Sequence, residues 1–159
     1  MCDKFIGDKR MKMFYTYVKY FFSTYIFNSF DNVISLIALQ FSIDIKKALS
    51  EMIRVAKNKI GIGFLNKNSL ANYFNTKERR RLYKEAVTLT DKQIKNFLKE
   101  ILGKEIKRTE INTRYTLYLP GKLGYFFPMV DDIFEKINLP FGDYAVMIIK
   151  KDQLISGEK

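Results

Sequence analysis

The side chains that most often perform catalysis or bind metal ions are scarce in this sequence. It contains no histidine, and its one cysteine is Cys2. Without histidine, a Ser-His-Asp or Cys-His nucleophilic site cannot form, and the commonest metal ligand is missing. A lone cysteine provides neither a disulfide framework nor a thiolate cluster. We therefore expect no metal ion and no histidine-dependent catalysis, and we expect the protein to be cytoplasmic.

Positive charge is the second chemical feature of the chain. Its 159 residues carry a formal net charge of +11, and the densest positive run is KERRRLYK at 77–84. Such a run can attract nucleic acid or an anionic lipid surface. However, glutamates interrupt and follow it, and no RNA-binding signature accompanies it. We therefore interpret the run as a solvated helix face and do not expect nucleic acid as a partner.

The amino-terminal segment is rich in aromatic residues, and positions 11–27 read MKMFYTYVKYFFSTYIF. Lys19 and the hydroxyl-bearing side chains make it too polar for a membrane span, which needs about 20 predominantly apolar residues. As a helix it would carry one apolar stripe, formed by Phe14, Val18, Phe21 and Tyr25. We expect residues 1–26 to be a helical leader that docks on an apolar surface, and we do not expect a membrane partner.

The elements that could position a site begin after this leader. The apolar, β-branched run Asn32 to Leu39 predicts a strand buried on both faces of a parallel sheet. A helical apolar stripe follows, with Ser42 or Asp44 as its N-cap and Asn58 near its end. The run Lys59 to Leu65 predicts a second buried strand. Two such strands with a helix between them form a right-handed βαβ unit with parallel strands, so the predicted fold class is α/β.

The sequence after residue 67 predicts further helices and strands. Residues 68–84 favour one or two helices, and Thr90 with Gln93 forms a capping-box pattern before an amphipathic helix that ends at Gly103. Residues 105–119 alternate as in an antiparallel strand or bent pair, and Pro120-Gly121 marks a turn. A short helix over 130–137 and an antiparallel strand over 144–149 complete the order. The length fits one domain.

Several short motifs occur in this order, among them FDNVIS at 30–35, ALQF at 38–41 and EMIRV at 51–55. They resemble the fourth strand, the loop after it and the helix before the fifth strand of class I S-adenosylmethionine-dependent methyltransferases of the bacterial small-molecule type. LNKNSL at 65–70, TLYLP at 116–120 and PFGDYAVMIIKK at 140–151 resemble the later loops and final hairpin. The resemblance covers about four fifths of the chain. It implies a partial Rossmann-like sheet with parallel strands, a C-terminal antiparallel strand and flanking helices.

The resemblance also implies candidate site residues. Ser35 and Leu36 would approach S-adenosylmethionine through backbone groups, and Leu39 and Gln40 would border the methyl-transfer side. Asn66 and Tyr83 lie where the family's substrate lid would be, facing a small-molecule methyl acceptor. No catalytic side chain is assigned, because methyl transfer depends on alignment of donor and acceptor. The plainer interpretation stays open: Ser35, Leu36 and Leu39 would be strand-end or core residues in any such α/β protein, and Asn66 and Tyr83 would serve loop capping and packing.

One part of the family pattern is missing. In the family, cofactor binding begins with a strand leading into a Gly-rich loop, and an acidic residue after the second strand holds the ribose. No G-x-G-x-G loop occurs in this sequence, and Gly61 and Gly63 lie inside a predicted strand, which favours close packing. We therefore expect residues 27–151 to be the C-terminal part of a methyltransferase-like domain, truncated relative to the family, with 152–159 as a tail.

The missing part leaves alternatives for function. Activity of the chain alone is doubtful, and a complementary chain or a second copy could complete the sheet. Alternatively, the chain is a non-catalytic interaction module whose open sheet edge or leader binds a polypeptide. A third hypothesis is a basic surface that binds RNA or anionic lipid through the run at 77–84.

Overall fold

The computed structural model of the chain describes residues 25–74, 86–119 and 126–151. Its strands are β1 (Phe30–Leu36), β2 (Ala56–Leu65), β3 (Glu110–Thr116) and β4 (Tyr144–Lys150). Its helices are α1 (Ile45–Val55), α2 (Leu70–Phe74), α3 (Asp91–Leu102) and α4 (Pro128–Ile137), with short 3₁₀ helices at Ala38–Phe41 and Gly103–Arg108. The predicted leader up to residue 24, the basic run, Tyr83, the turn at Pro120-Gly121 and the tail lie outside the described residues.

The strands form one mixed sheet in the order β1-β2-β4-β3. β1 and β2 are parallel, with Ile34 opposite Gly61 and Leu36 opposite Gly63. β4 is antiparallel to both of its neighbours, and Met147 lies opposite Ile62 of β2. The predicted α/β class, the parallel βαβ unit and the antiparallel C-terminal strand are therefore confirmed.

Helix α1 crosses from β1 to β2 and covers the sheet. It begins because the Asp44 carboxylate accepts a hydrogen bond from the backbone N–H of Lys47 at 2.9 Å. Leu49 and Met52 on its apolar stripe are buried, whereas Lys46 and Lys47 are exposed, as the pattern predicts. The helix ends at Val55, three residues earlier than expected, because β2 begins at once with Ala56.

Helix α3 begins with the predicted capping box. The Thr90 hydroxyl accepts a hydrogen bond from the backbone N–H of Gln93, and the Gln93 side chain accepts one from the backbone N–H of Thr90. The helix ends at Leu102, with Gly103 as its C-cap. The predicted strand over 105–119 is shorter than expected, since Gly103–Arg108 forms a 3₁₀ helix and only Glu110–Thr116 is extended.

The two faces of the sheet differ in burial. The inner face packs against α1 and α3 and is fully buried at Ile60, Ile62, Phe64, Ala145, Met147 and Ile149. The opposite face, called the open face below, carries the alternate residues, which include Ile34, Leu36, Gly61, Gly63, Val146 and Ile148. Ile34 is 70% exposed and Leu36 63% exposed. The expectation that the first strand is buried on both faces is therefore wrong, because no described element covers the open face at Ile34 and Leu36.

The β3 edge of the sheet is closed by side chains of and after α4. The Asn138 carboxamide oxygen accepts a hydrogen bond from the backbone N–H of Tyr115 at 3.0 Å, and its nitrogen donates one to the Thr113 carbonyl at 2.9 Å. The Asp131 carboxylate accepts hydrogen bonds from the backbone N–H groups of Tyr118 and Leu119. Asn138 therefore occupies two backbone groups of β3 that another strand would otherwise reach, and Asp131 holds the chain just after the strand.

The last described residue, Lys151, joins the two ends of the described chain. Its ammonium donates hydrogen bonds to the carbonyls of Ile53 at 2.8 Å and Ala56 at 2.6 Å, and to the Asn28 side chain at 3.3 Å. It also lies 5.4 Å from the ring centre of Phe27. Lys151 therefore satisfies carbonyls where α1 ends.

Among the described residues, no helix has the length and apolar character required to cross a bilayer.

Candidate functional site

The predicted site residues gather where β1 and β2 end. Because the two strands are parallel, their carboxyl ends lie side by side, and the backbone N–H of Ile37 donates to the Gly63 carbonyl at 2.8 Å. Ser35 is half-buried, and Leu36 extends onto the open face. These two residues form the carboxyl end of β1, called the wall below. The Leu36 side chain lies on the open face, and that of Ser35, opposite Ile62, lies on the inner face.

The chain turns sharply after this wall. Ile37 adopts a left-handed conformation with φ of 63°, which is rare for a β-branched residue. The turn ends β1 at Leu36, so Leu39 belongs to the 3₁₀ helix and not to the strand, contrary to expectation. Both Leu39 and Gln40 point into the protein, where they are 3% and 0% exposed. Conformational strain of this kind often accompanies a functional loop.

The buried Gln40 side chain acts as a clamp between three segments. Its carboxamide oxygen accepts a hydrogen bond from the backbone N–H of Leu65 at 2.7 Å. Its nitrogen donates to the carbonyls of Leu65 at 3.1 Å and Val87 at 2.6 Å. Its own carbonyl accepts from the Val87 N–H. Since the carboxamide is occupied by these bonds, it is not available to a ligand in this conformation.

Asn66 makes a second clamp at the end of β2. It is 1% exposed, and its nitrogen donates hydrogen bonds to the carbonyls of Pro140 and Gly142, both at 2.9 Å. Its oxygen accepts from the backbone N–H of Asn68 at 3.1 Å. Asn66 thus fixes the turn that leads into β4. Tyr83, the other predicted lid residue, lies outside the described residues.

Close packing at Gly63 extends the wall across the sheet. A Cβ atom at Gly63 would lie 2.8 Å from Cζ of Tyr144 and 3.0 Å from a methyl carbon of Leu36. Only glycine therefore allows the Tyr144 ring to cross β2 beside Leu36. Burial raises the pKa of the Tyr144 phenol. The prediction of close packing at this glycine is confirmed, whereas Tyr144 itself was not expected near the site.

The arrangement provides shape and backbone groups rather than acid–base chemistry. Of the predicted residues, the structure places Ser35, Leu36, Leu39, Gln40 and Asn66 around one edge. Only Leu36 is exposed, and Ser35 is half-buried. Their roles in binding stay predictions. The structural role of Gln40 could have been suspected because it is a polar residue inside an apolar run, and a buried polar group normally forms hydrogen bonds. Asn66 follows an apolar run and gives no such signal.

No protein-family model matches the sequence, and no curated protein does. Solved structures provide the comparison. A SAM-dependent methyltransferase from Thermotoga maritima, described as a possible histamine N-methyltransferase, matches with a TM-score of 0.55 and 16% identity over 79% of this chain. A SAM-dependent methyltransferase from Archaeoglobus fulgidus matches with a TM-score of 0.52 and 14% identity over 84% of this chain.

These matches define the class of fold. The described chain has a methyltransferase-like α/β fold, in agreement with the resemblance found in its sequence. The chain spans 58% of the length of the Thermotoga protein and 65% of the Archaeoglobus protein. It therefore corresponds to less than two thirds of either solved chain.

Proposed function

We propose that this chain is a methyltransferase-like protein that uses S-adenosylmethionine to methylate a small molecule. The observation that supports the proposal is the sheet β1-β2-β4-β3, with its parallel βαβ unit and antiparallel final strand, which matches solved methyltransferases over about four fifths of the chain. The wall formed by Ser35 and Leu36 at the carboxyl ends of parallel strands is the place where ligands bind in open α/β sheets.

The chain supplies one wall of the cofactor site, in this proposal. The Gly-rich loop and the ribose-binding carboxylate that the resemblance implies have no counterpart in its sequence. Two or three polar groups of the cofactor would thus lack partners, at about 1–3 kcal/mol each. This loss weakens binding by roughly two to six orders of magnitude. S-adenosylmethionine then binds weakly or not detectably at micromolar concentration.

Completion of the active site requires further polypeptide. The matched structures are longer than this chain, which covers 58% and 65% of them. A complementary chain, or a second copy of this one, would add the missing part next to β1. Residues 27–151 form the domain in this proposal, and its site of action is the cytoplasm.

Binding of S-adenosylmethionine is the test. Calorimetry on the full chain is expected to show no saturable binding at low micromolar concentration. Titration of ¹⁵N-labelled protein with the cofactor to several millimolar is expected to shift the amide resonances of residues 35–40 in a concentration-dependent manner. Adenosine and methionine, added separately, should shift fewer of these resonances.

A matched pair of variants controls this titration. Leu36→Trp places a bulky ring at the proposed cofactor site and should abolish the shifts. Ile133→Trp, at a similarly exposed apolar position on α4, should preserve them. If no amide at 35–40 responds to millimolar cofactor, the cofactor proposal fails. Saturable low-micromolar binding would instead refute the claim that the chain provides a single wall.

A further inference from the structure

Two neighbouring rows of residues across the open face are apolar. Each row has an aliphatic residue on β1, a glycine on β2 and an aliphatic residue on β4: Ile34, Gly61 and Ile148 form one row, and Leu36, Gly63 and Val146 form the other. Ile148 is 43% exposed, and no described element covers Ile34 and Leu36. Contiguous exposed apolar surface of this kind often marks a site of protein interaction.

The missing side chain at Gly61 makes a groove along β2. Strands of a sheet lie about 4.8 Å apart, so Ile34 and Ile148, on either side of Gly61, are separated by roughly 10 Å. A Cβ atom at Gly61 would lie 3.5 Å from the nearest carbon of Ile34, and no other side chain comes nearer. An α-helix with its side chains is about 10–12 Å across. The groove therefore suits the apolar stripe of a helix lying on the sheet.

Cations border the two apolar rows. The row before them places Lys59 of β2 directly opposite Lys150 of β4, and like charges in this position repel each other. Lys150 is paired with Glu110 at 2.8 Å, whereas Lys59 and Arg114 form no salt bridge with a described residue. Arg114 lies opposite Val146 and lines a cleft of about 310 Å³ between β3 and β4. Both cations are exposed, so an acidic partner can reach them.

We propose that the open face binds an amphipathic helix of another polypeptide, with its apolar stripe in the groove at Gly61 and acidic side chains over Lys59 and Arg114. The proposal rests on the proposed function, in which further polypeptide completes the domain, and it names the chemistry of that polypeptide. A second copy packed face to face would bring the same cations together, which costs free energy. A nucleic acid would pair with the cations but leave the apolar rows in water.

A pair of synthetic peptides provides the probe. The acidic peptide has about 18 residues, with leucine at every third or fourth position and glutamate and alanine between them, so that it can form an amphipathic helix. The basic control peptide has lysine in place of glutamate. Calorimetry on the full chain at about 0.15 M salt, where long-range attraction is screened, should show that the acidic peptide binds about tenfold or more tightly than the basic one.

Matched variants locate the contact, because a chain with a net charge of +11 attracts any acidic peptide. Lys59→Glu and Arg114→Glu should each weaken binding of the acidic peptide about threefold or more. Lys47→Glu makes the same charge change at an exposed position of α1, which packs on the inner face, and should leave binding nearly unchanged. Ile34→Asp should weaken binding about tenfold, whereas Ile133→Asp, equally exposed on α4, should not. Circular dichroism verifies that each variant is folded.

Each other outcome overturns the proposal. Equal binding of the two peptides, or equal losses for Lys47→Glu and Lys59→Glu, would mean unspecific attraction. No binding of the acidic peptide at millimolar concentration would mean that the face is closed to such a helix, either by the chain itself or, if sedimentation shows a dimer, by a second copy. The bound peptide should shift amide resonances of residues 59–63 and 146–150 without S-adenosylmethionine. This result is therefore separate from the cofactor response of residues 35–40, and either can fail alone.

Discussion

The Gln40 clamp offers a direct test of how the candidate site is built. Replacing Gln40 by Leu keeps the side-chain volume nearly constant and removes the carboxamide. The Leu65 N–H and the Val87 carbonyl then lose their partners inside the protein. The Leu65 carbonyl retains one, because the Leu89 N–H also donates to it at 3.2 Å. The buried Leu65 N–H is thus left unsatisfied, whereas the Val87 carbonyl belongs to a residue that is 48% exposed and can bond to water instead.

The cost follows from this count. An unsatisfied buried donor or acceptor costs about 1–3 kcal/mol, so Gln40→Leu should lower the free energy of unfolding by about 1–3 kcal/mol. Gln93→Leu is the matched control. The Gln93 side chain also accepts a backbone hydrogen bond, but it is exposed, and water can replace it. Its loss should cost less than about 1 kcal/mol.

Equilibrium urea unfolding of the full chain, followed by circular dichroism, measures both values. The reasoning is refuted if Gln40→Leu costs less than about 1 kcal/mol, or no more than Gln93→Leu. Such a result would mean that the clamp is replaceable, and Gln40 would then be free to contact a ligand as its sequence position suggests.

Three further changes probe the core, the wall and the pH response. Leu49→Ala should destabilise the fold by about 2–5 kcal/mol in denaturant melts, because Leu49 is fully buried on α1. Gly63→Ala should displace the Tyr144 ring and cost about 1–3 kcal/mol, with a changed near-ultraviolet dichroism spectrum. Burial, followed by the charge of Asp91, raises the pKa of Tyr115 to about 12. The folded state therefore holds this proton more tightly than the unfolded state, and stability present below pH 10 should fall by about 2–3 kcal/mol as the pH rises to 12.

Matched variants make these outcomes decisive. Gly61→Ala should be nearly neutral, since its new Cβ would lie 3.5 Å from Ile34 in ordinary contact, and equal costs at both glycines would contradict the packing argument. Tyr115→Phe should flatten the alkaline loss of stability; an unchanged slope would assign that loss to other groups. A negligible cost for Leu49→Ala would show that α1 does not cover the core.

Local patterns predicted much of the fold. The apolar runs around Val33 and Ile62, the stripe of α1 and the Thr90 capping box each depend on residues close in sequence, so they could be recognised without the structure. The length of the β1 run could not, because the left-handed turn at Ile37 is set by packing and not by a glycine or asparagine.

The candidate site was less predictable because its details are long-range. An apolar run indicates burial, but which face of a strand is buried depends on the helices that pack against the sheet, and Ile34 is exposed because no described element covers it on the open face. Gln40 contacts residues 25 and 47 positions later in the chain. Such contacts leave no periodic signal in the sequence, so the resemblance could indicate the neighbourhood of the site but not which side chains are available to a ligand.

The bonds made by Lys151 have a consequence for the order of folding during synthesis. At the junction between α1 and β2, the Lys151 ammonium binds the carbonyls of Ile53 and Ala56. These residues precede Lys151 by 98 and 95 positions in the sequence. At about 5–20 residues per second, a ribosome needs about 5–20 s to add that length. During this interval β2 also lacks its neighbour β4, so its apolar inner face is exposed to chaperones and to aggregation. The βαβ unit is complete early in the sequence, yet it becomes stable only after β4 and Lys151 have been synthesised.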